Sequence, residues 1–200
     1  MARTLSWFPT QVYAAPVGGR GIAALNRELL KECHALELRD AEGRRWSEAA
    51  YAGGYTSYAS LDQVHRMSST FIALRERLDA HARAYARTLR WGLRGRRLAM
   101  TDCWVNVMRR GAAHGAHLHP QAVISGTYYV RTPRGCAGLT FEDPRLPFML
   151  GAPPRRDAAH LTLPARAGQV ILFESWLRHG VAPSRTAGER VSISFNYHWV

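Results

Sequence analysis

The spacing of hydrophobic residues changes near the middle of the chain. From Gly21 to about Asp40, Ile22, Leu25, Leu29, Cys33 and Leu36 recur at three- and four-residue steps, which predicts an amphipathic helix with one buried stripe. Residues 43–63 are rich in Gly, Tyr and Ser, with Gly53-Gly54-Tyr55-Thr56-Ser57-Tyr58 at their centre, and read as an irregular loop lying over a site. A second helix is expected from Asp62 or Ser69 to Trp91, with Phe71, Leu74, Leu78, Tyr85 and Leu89 on one face and Gly92 and Gly95 marking its end. After Leu98 the period becomes two. Short runs of Val, Ile, Tyr, Phe and Thr between Gly and Pro predict strands near 101–109, 115–119, 123–131, 137–142, 160–163, 169–174, 178–183 and 189–197. Helices followed by these strands predict a mainly β sandwich or jelly roll with the N-terminal helices packed on one sheet. Residues 1–98 would be a mostly helical scaffold and loop and residues 99–200 the β core, within a single domain, 1–200.

Composition narrows the class. With 200 residues, 46% hydrophobic and 21% charged, the chain has the balance of one globular domain, and disordered and fibrous classes are excluded. A domain of this size buries roughly 70% of its unfolded surface and closes a core without disulfides or structural metal, so any metal is free to be functional. No apolar run approaches the roughly 18–20 residues of a membrane span, and Met1 to Pro9 lack a secretory apolar stretch, so a cytoplasmic location away from membranes is expected. Cys33, Cys103 and Cys136 form no CxxC and are expected to be small core residues. A net charge of +12 invites a nucleic-acid reading. However, Lys31 is the only lysine among 27 basic residues and the arginines scatter from Arg3 to Arg190, so no nucleic-acid partner is expected.

The chemistry concentrates in the second half. His114-Gly115-Ala116-His117-Leu118-His119 contains an HxH, and on a strand His117 and His119 share a face and can grip one metal ion. About 0.4 such pairs arise by chance with nine histidines in this length, so the motif needs context. The apolar strand Gly168 to Phe173 is followed by Glu174-Ser175-Trp176-Leu177-Arg178-His179, which offers His179 as a third ligand. Next, Arg190, Ser192, Ser194 and Asn196 share one strand face, and Val191, Ile193, Phe195 and Tyr197 share the other. Either the polar face lies in water, or it lines a pocket while the apolar face packs beneath the helices. In a pocket Arg190 needs a carboxylate partner, which a dicarboxylate ligand would supply. His114 has the opposite parity and is expected near the site at most, while His34, His65, His81, His160 and His198 read as structural or exposed.

Together with the HxH, Ser125-Gly126-Thr127-Tyr128-Tyr129-Val130, Phe141-Glu142-Asp143-Pro144-Arg145, Ser175-Trp176-Leu177-Arg178-His179 and Arg190-Val191-Ser192-Ile193-Ser194-Phe195-Asn196 resemble the 2-oxoglutarate and iron(II)-dependent oxygenases, in particular a bacterial subgroup with H-x-H-P, S-G-x-Y-Y-V and W-L-x-H motifs. The resemblance covers residues 100–200; in the N-terminal half only Trp7-Phe8-Pro9-Thr10 and the Gly-Tyr-Thr-Ser segment share it. It implies a double-stranded β-helix, a jelly roll also found in cupins, that holds Fe(II) on two histidines and usually a carboxylate. His119 stands where the acidic ligand is usual, so the implied site is His117, His119 and His179, with a 2-oxoglutarate dianion balancing the metal charge. An imidazole in that position argues against halogenation.

By the same resemblance, Asn106, eleven residues before His117, touches the cosubstrate, as in alkylated-base demethylases. Those enzymes carry a Tyr where Met108 stands here, so the distal carboxylate is assigned to Arg190 and Ser192 with the Tyr128 hydroxyl. Trp104, Trp176 and Arg145 are expected in the substrate pocket, with Asp143 and Arg145 also able to fix a turn around Pro144. The implied activity is a dioxygenase that uses O2 and 2-oxoglutarate to hydroxylate a C–H bond, with succinate and CO2 as co-products. Specificity is expected from residues 43–63 and 144–160, and Arg145, Arg155, Arg156 and Arg178 would suit a small anionic or carrier-linked substrate. Two alternatives remain open: a cupin-type three-histidine dioxygenase without an oxo acid, and a non-catalytic cupin-like binding module.

Overall fold

A computed structural model describes residues 2–4, 8–92, 94–145, 151 and 159–200. In chain order the elements are β1 (Val12–Pro16), α1 (Ile22–Arg39), α2 (Ala41–Ala50), β2 (Gly54–Thr56), a single 3-10 turn (Val64–Arg66), α3 (Ser69–Thr88), β3 (Leu98–Met108), β4 (His114–His117), β5 (Ile124–Arg131), β6 (Leu139–Glu142), β7 (His160–Leu163), β8 (Gln169–Glu174), β9 (His179–Val181) and β10 (Arg190–Trp199). Six strands form one antiparallel sheet in the order β1-β8-β5-β10-β3-β2, and β4-β9-β6-β7 form a second.

The two faces of β10 decide the layering. Val191, Ile193, Phe195 and Tyr197 are buried together with Leu29 and Cys33 of α1 and Leu74 and Leu78 of α3, so the helices cover that face of the large sheet. Tyr129, Ile171 and Phe173 on its other face pack with Leu139, Phe141 and Val181 of the small sheet. Arg190, Ser192 and Ser194 lie between the sheets and line a cavity there, so the polar face of β10 points inward and away from bulk water. The architecture is a double-stranded β-helix with helices on one sheet. No helix among the described residues is long and apolar enough to cross a membrane.

The eight strands expected after Leu98 are present, and α1 and α3 follow the apolar stripes. Ser68 accepts a hydrogen bond from the Phe71 amide at 3.2 Å, which fixes the start of α3 at Ser69. The expected loop over residues 43–63 is corrected: it contains α2 and β2. The buried Asp40 carboxylate caps α2 through the Gly43 amide at 2.8 Å, and it also accepts from the Tyr55 and Ser60 hydroxyls at 2.8 and 2.6 Å. A Cβ at Gly43 would fall 2.1 Å from the Asp40 carboxylate, so the glycine that suggested a loop is what admits the cap. β1 was not expected; this five-residue edge strand ends in proline, and its register comes from pairing with β8. Cys33 and Cys103 are buried as expected, Cys136 is partly so, and all three are free thiols.

Two stability measurements follow from this packing. A Cβ at Gly126 on β5 would approach Leu172 and Phe195 to 2.6 Å, so Gly126→Ala should cost about 1–3 kcal/mol in urea unfolding; an unchanged midpoint would show that the contact yields. His65 is 2% exposed with its Nδ1 unpartnered, and burial, with Arg66 and Arg75 nearby, pushes its pKa down to about 4. Between the ordinary value near 6.5 and about 4, the unfolded chain binds a proton that the folded chain refuses, so stability falls as pH falls through that window. His65→Gln should flatten this part of a plot of Tm against pH, and an unaltered slope would contradict the assignment.

Candidate metal centre

His117 ends β4 and His179 begins β9, and the register makes them cross-strand partners. Their ring centroids are 4.5 Å apart. His119 lies beyond the end of β4, where its amide donates to the Ser175 carbonyl at 3.0 Å and its carbonyl accepts from the Ala122 amide at 3.2 Å. Its ring is therefore aimed by the chain leading into β9 rather than by strand alternation. One ring nitrogen from each of the three histidines lies within 4.8 Å of the other two, which is the spacing of a group able to hold one metal ion.

The ring orientations suit that role. Nδ1–H of His117 donates to the Gly115 carbonyl and Nδ1–H of His179 to the Leu177 carbonyl, both at 2.8 Å, leaving Nε2 as the lone-pair nitrogen. Burial lowers the pKa of His119 to about 4, with His117 adding to the effect. Burial lowers that of His179 to about 3, with the neighbouring imidazoles reinforcing it. Both rings are thus neutral at pH 7, the form a metal requires. Phe173 packs on His179 with ring centroids 4.3 Å apart and walls it from the interior, whereas His117 is exposed and marks the open side.

The cavity continues from these histidines across the inner face of the large sheet to Arg190. Arg190 is 4% exposed, donates from Nη1 to the Ala137 carbonyl at 3.3 Å, and lies 5.1 Å over the Tyr129 ring. Among the described residues it pairs with no carboxylate, and its buried Nε has no hydrogen-bond partner. Its sequence neighbour Glu189 is already committed to His34, Arg131 and Arg109 at 2.7, 3.3 and 3.6 Å. Other buried polar atoms nearby are equally unsatisfied: Asn106 Oδ1, Thr127 Oγ1 and the Tyr51 and Tyr129 hydroxyls. Asn106 Nδ2 donates to Ser194 Oγ at 3.0 Å, and Ser192 sits opposite Asn106 in the ladder.

The expected site residues divide as follows. His117, His119, His179, Asn106, Arg190, Ser192 and Trp104 line one cavity. Tyr128 is corrected: it faces the helices within the outer core, and its hydroxyl donates to Asn26 Oδ1 at 2.9 Å. Strand parity carries the reason, since Tyr128 falls in step with Ile124, Gly126 and Val130, whereas Ser125, Thr127 and Tyr129 face the interior. Trp176 and Arg145 line a second groove with Leu161, Glu174 and part of the N-terminal segment. Asp143 accepts from the Arg145 amide at 3.0 Å and from its guanidinium at 2.7 and 2.9 Å, holding the turn around Pro144. Arg155 and Arg156 lie outside the described residues, and Arg178 approaches Glu142 at 3.5 Å.

Thr127, which lines the cavity, Tyr129, which lies under Arg190, and Tyr51, which packs on His114, are not picked out by the sequence reading. The Ser-x-Thr-x-Tyr alternation in β5 was a signal for the first two. His114, expected near the site at most, lines the cavity despite its parity, and a shift of register separates it from His117.

Structural comparison gives the fold of enzymes with known contents. SnoN, a non-heme α-ketoglutarate-dependent epimerase from nogalamycin biosynthesis, superposes with a TM-score of 0.66 at 18% identity over 94% of this chain and 78% of that one, and has also been crystallised with Fe3+, α-ketoglutarate and nogalamycin RO. A Pseudomonas putida prolyl-4-hydroxylase gives 0.63 at 16% identity over 94% and 92%. HygX from Streptomyces hygroscopicus, crystallised with nickel, 2-oxoglutarate and hygromycin B, gives 0.61 at 13% identity over 94% and 82%. At such identities these likenesses speak for the fold alone. No curated protein matches the sequence. The three histidines, Asn106 and Arg190 all fall within residues 102–196, and that stretch matches the family model described as Putative 2OG-Fe(II) oxygenase.

Proposed function

We propose that this protein is an Fe(II)- and 2-oxoglutarate-dependent dioxygenase that hydroxylates a C–H bond of a small-molecule or carrier-linked substrate, giving succinate and CO2 as co-products. The single observation that carries the reading is Arg190, a buried guanidinium that pairs with no carboxylate among the described residues, in the same cavity as three convergent imidazoles. A buried cation of this kind is costly until an anion arrives, and a planar fork matches a carboxylate. A 2-oxo dicarboxylate has one end for a metal and one for the guanidinium. Its two negative charges balance the +2 that three neutral ligands leave on the ion.

In this reading His117, His119 and His179 hold the iron through Nε2 or the equivalent free nitrogen. Arg190 grips the distal carboxylate, with Ser192 beside it. Tyr129 takes the role that sequence had given to Tyr128, since its unsatisfied hydroxyl is on the inward face and its ring lies under the guanidinium. Asn106 contributes through its amide: rotating it lets Nδ2 donate into the cavity while the Ser194 hydroxyl donates to Oδ1. Leu139, Phe173 and Val181 keep this end dry, which strengthens each charged contact. The substrate approaches from the side of exposed His117, past Trp104, whose ring lies 5.9 Å from His119 and 5.1 Å from Tyr58. When bound, iron and 2-oxoglutarate together supply the oxidising chemistry: one oxygen atom of O2 enters succinate and the other enters the substrate as a hydroxyl.

A cupin-type three-histidine dioxygenase would share the metal face but has no use for an unpaired buried arginine. Release of succinate from 2-oxoglutarate by the Fe(II) form, even without prime substrate, supports the oxo-acid reading over this rival and over a non-catalytic module. Saturating Mn(II) should raise Tm by about 5–10 °C, and His179→Ala should abolish that rise in differential scanning fluorimetry. In calorimetric titration of the Mn(II) form, Arg190→Ala should weaken 2-oxoglutarate by about 2–4 kcal/mol, or roughly thirty- to a thousand-fold, while leaving the affinity for Mn(II) within a factor of about three. Unchanged 2-oxoglutarate affinity would make Arg190 a structural residue and overturn the proposal.

A further inference from the structure

His114 is a fourth imidazole in the cavity wall, and the fold takes trouble to hold it there. The register between β4 and β9 pairs His114 with Val181 and His117 with His179, and the irregularity between the two pairs turns His114 inward although its parity is opposite to that of His117. Its ring lies 5.6 Å from that of His117 and packs on Tyr51 at 4.5 Å between centroids. Unlike His117 and His179, it has no ring hydrogen bond to any described residue. Both ring nitrogens are therefore available to a ligand.

Tyr51 explains why the ring stays in place. It follows the last residue of α2, and its ring occupies the space that a Cβ on Gly54 would fill, 2.6 Å from Cε1. Gly53 makes the intervening turn at φ 76°, with the Ala112 amide nitrogen and the Arg110 carbonyl oxygen 3.0 Å from where its Cβ would be. In the sheet, Gly54 sits opposite Met108, and Met108 opposite Arg190. The segment from α2 to β2 thus carries Tyr51 to the Arg190 end of the cavity, where its buried hydroxyl has no partner among the described residues. The Arg190 charge reaches that hydroxyl and acts against the rise in pKa that burial imposes.

We infer that His114, braced by Tyr51, is a cosubstrate-binding residue that donates a ring N–H to the distal carboxylate of the 2-oxo acid beside Arg190. This rests on the 2-oxoglutarate reading and extends it, because one guanidinium fork leaves lone pairs of a carboxylate unused in a dry pocket. The contact favours an oxo acid with a second carboxylate over one with an alkyl tail.

The test compares wild type, His114→Leu and His114→Gln in the Mn(II) form, titrated by calorimetry with 2-oxoglutarate and with 2-oxovalerate, which lacks the distal carboxylate. His114→Leu should weaken 2-oxoglutarate about ten- to a hundred-fold, leave 2-oxovalerate unchanged, and leave Mn(II) affinity unchanged. His114→Gln, which keeps an N–H donor, should recover most of the loss. A loss of Mn(II) affinity would make His114 part of the metal site and overturn the inference, as would equal losses for both oxo acids or none for either. If wild type binds 2-oxoglutarate and Arg190→Ala does not, but His114→Leu binds normally, only the inference fails. If wild type does not bind 2-oxoglutarate, the underlying functional reading fails with it.

Discussion

A guanidinium shut between two sheets, with no carboxylate partner among the described residues, is the constraint around which the rest of the structure is arranged. Taking an unpaired cation out of water costs several kcal/mol even after the surroundings relax, and a hydrogen bond to one backbone carbonyl offsets only part of that. The fold accepts this at Arg190 while its sequence neighbour, Glu189, pairs with Arg109, Arg131 and His34. Tyr129 gives the planar group a ring to lie on, and the hydroxyls and amide oxygen around it are left unpaired as well. A cluster of unsatisfied buried polar groups is a poor way to build a core and a good way to build a binding site.

The scaffold exists to hold that site open between rigid walls. β10 separates apolar from polar residues without exception from Arg190 to Tyr197, so one strand seals the helical core and lines the cavity at once. The small sheet brings His117 and His179 into register, and the chain leading into β9 fixes His119 by a backbone hydrogen bond. The helical half adds α2 and β2, which deliver Tyr51 behind His114 and bring Tyr58 against Trp104 at the mouth. The N-terminal half therefore does more than cover a sheet: it backs two of the residues that line the cavity, His114 and Trp104.

Strand parity made most of this legible in advance, and parity also set its limits. The two faces of residues 190–197 and the grouping of an HxH with a distant histidine could be read from residue order. Tyr128 was misassigned because two adjacent tyrosines differ only in the face they occupy, and the faces of β5 are set by its pairing with β8 and β10. His114, expected near the site at most, does line the cavity, where a register irregularity breaks strict alternation. α2 was hidden by a glycine whose purpose is to make room for the Asp40 carboxylate, a contact visible only in three dimensions. Trp176 and Arg145 have the composition of pocket residues but line another groove.

The most direct measurement of the central claim is diffraction from crystals grown without oxygen in the presence of Mn(II) and 2-oxoglutarate. One metal ion is expected about 2 Å from a nitrogen of each of His117, His119 and His179, with an oxo acid running from it to a two-point contact between its far carboxylate and Arg190. A metal bound elsewhere, or an oxo acid seated in the cavity with Arg190 still unpaired, would contradict it.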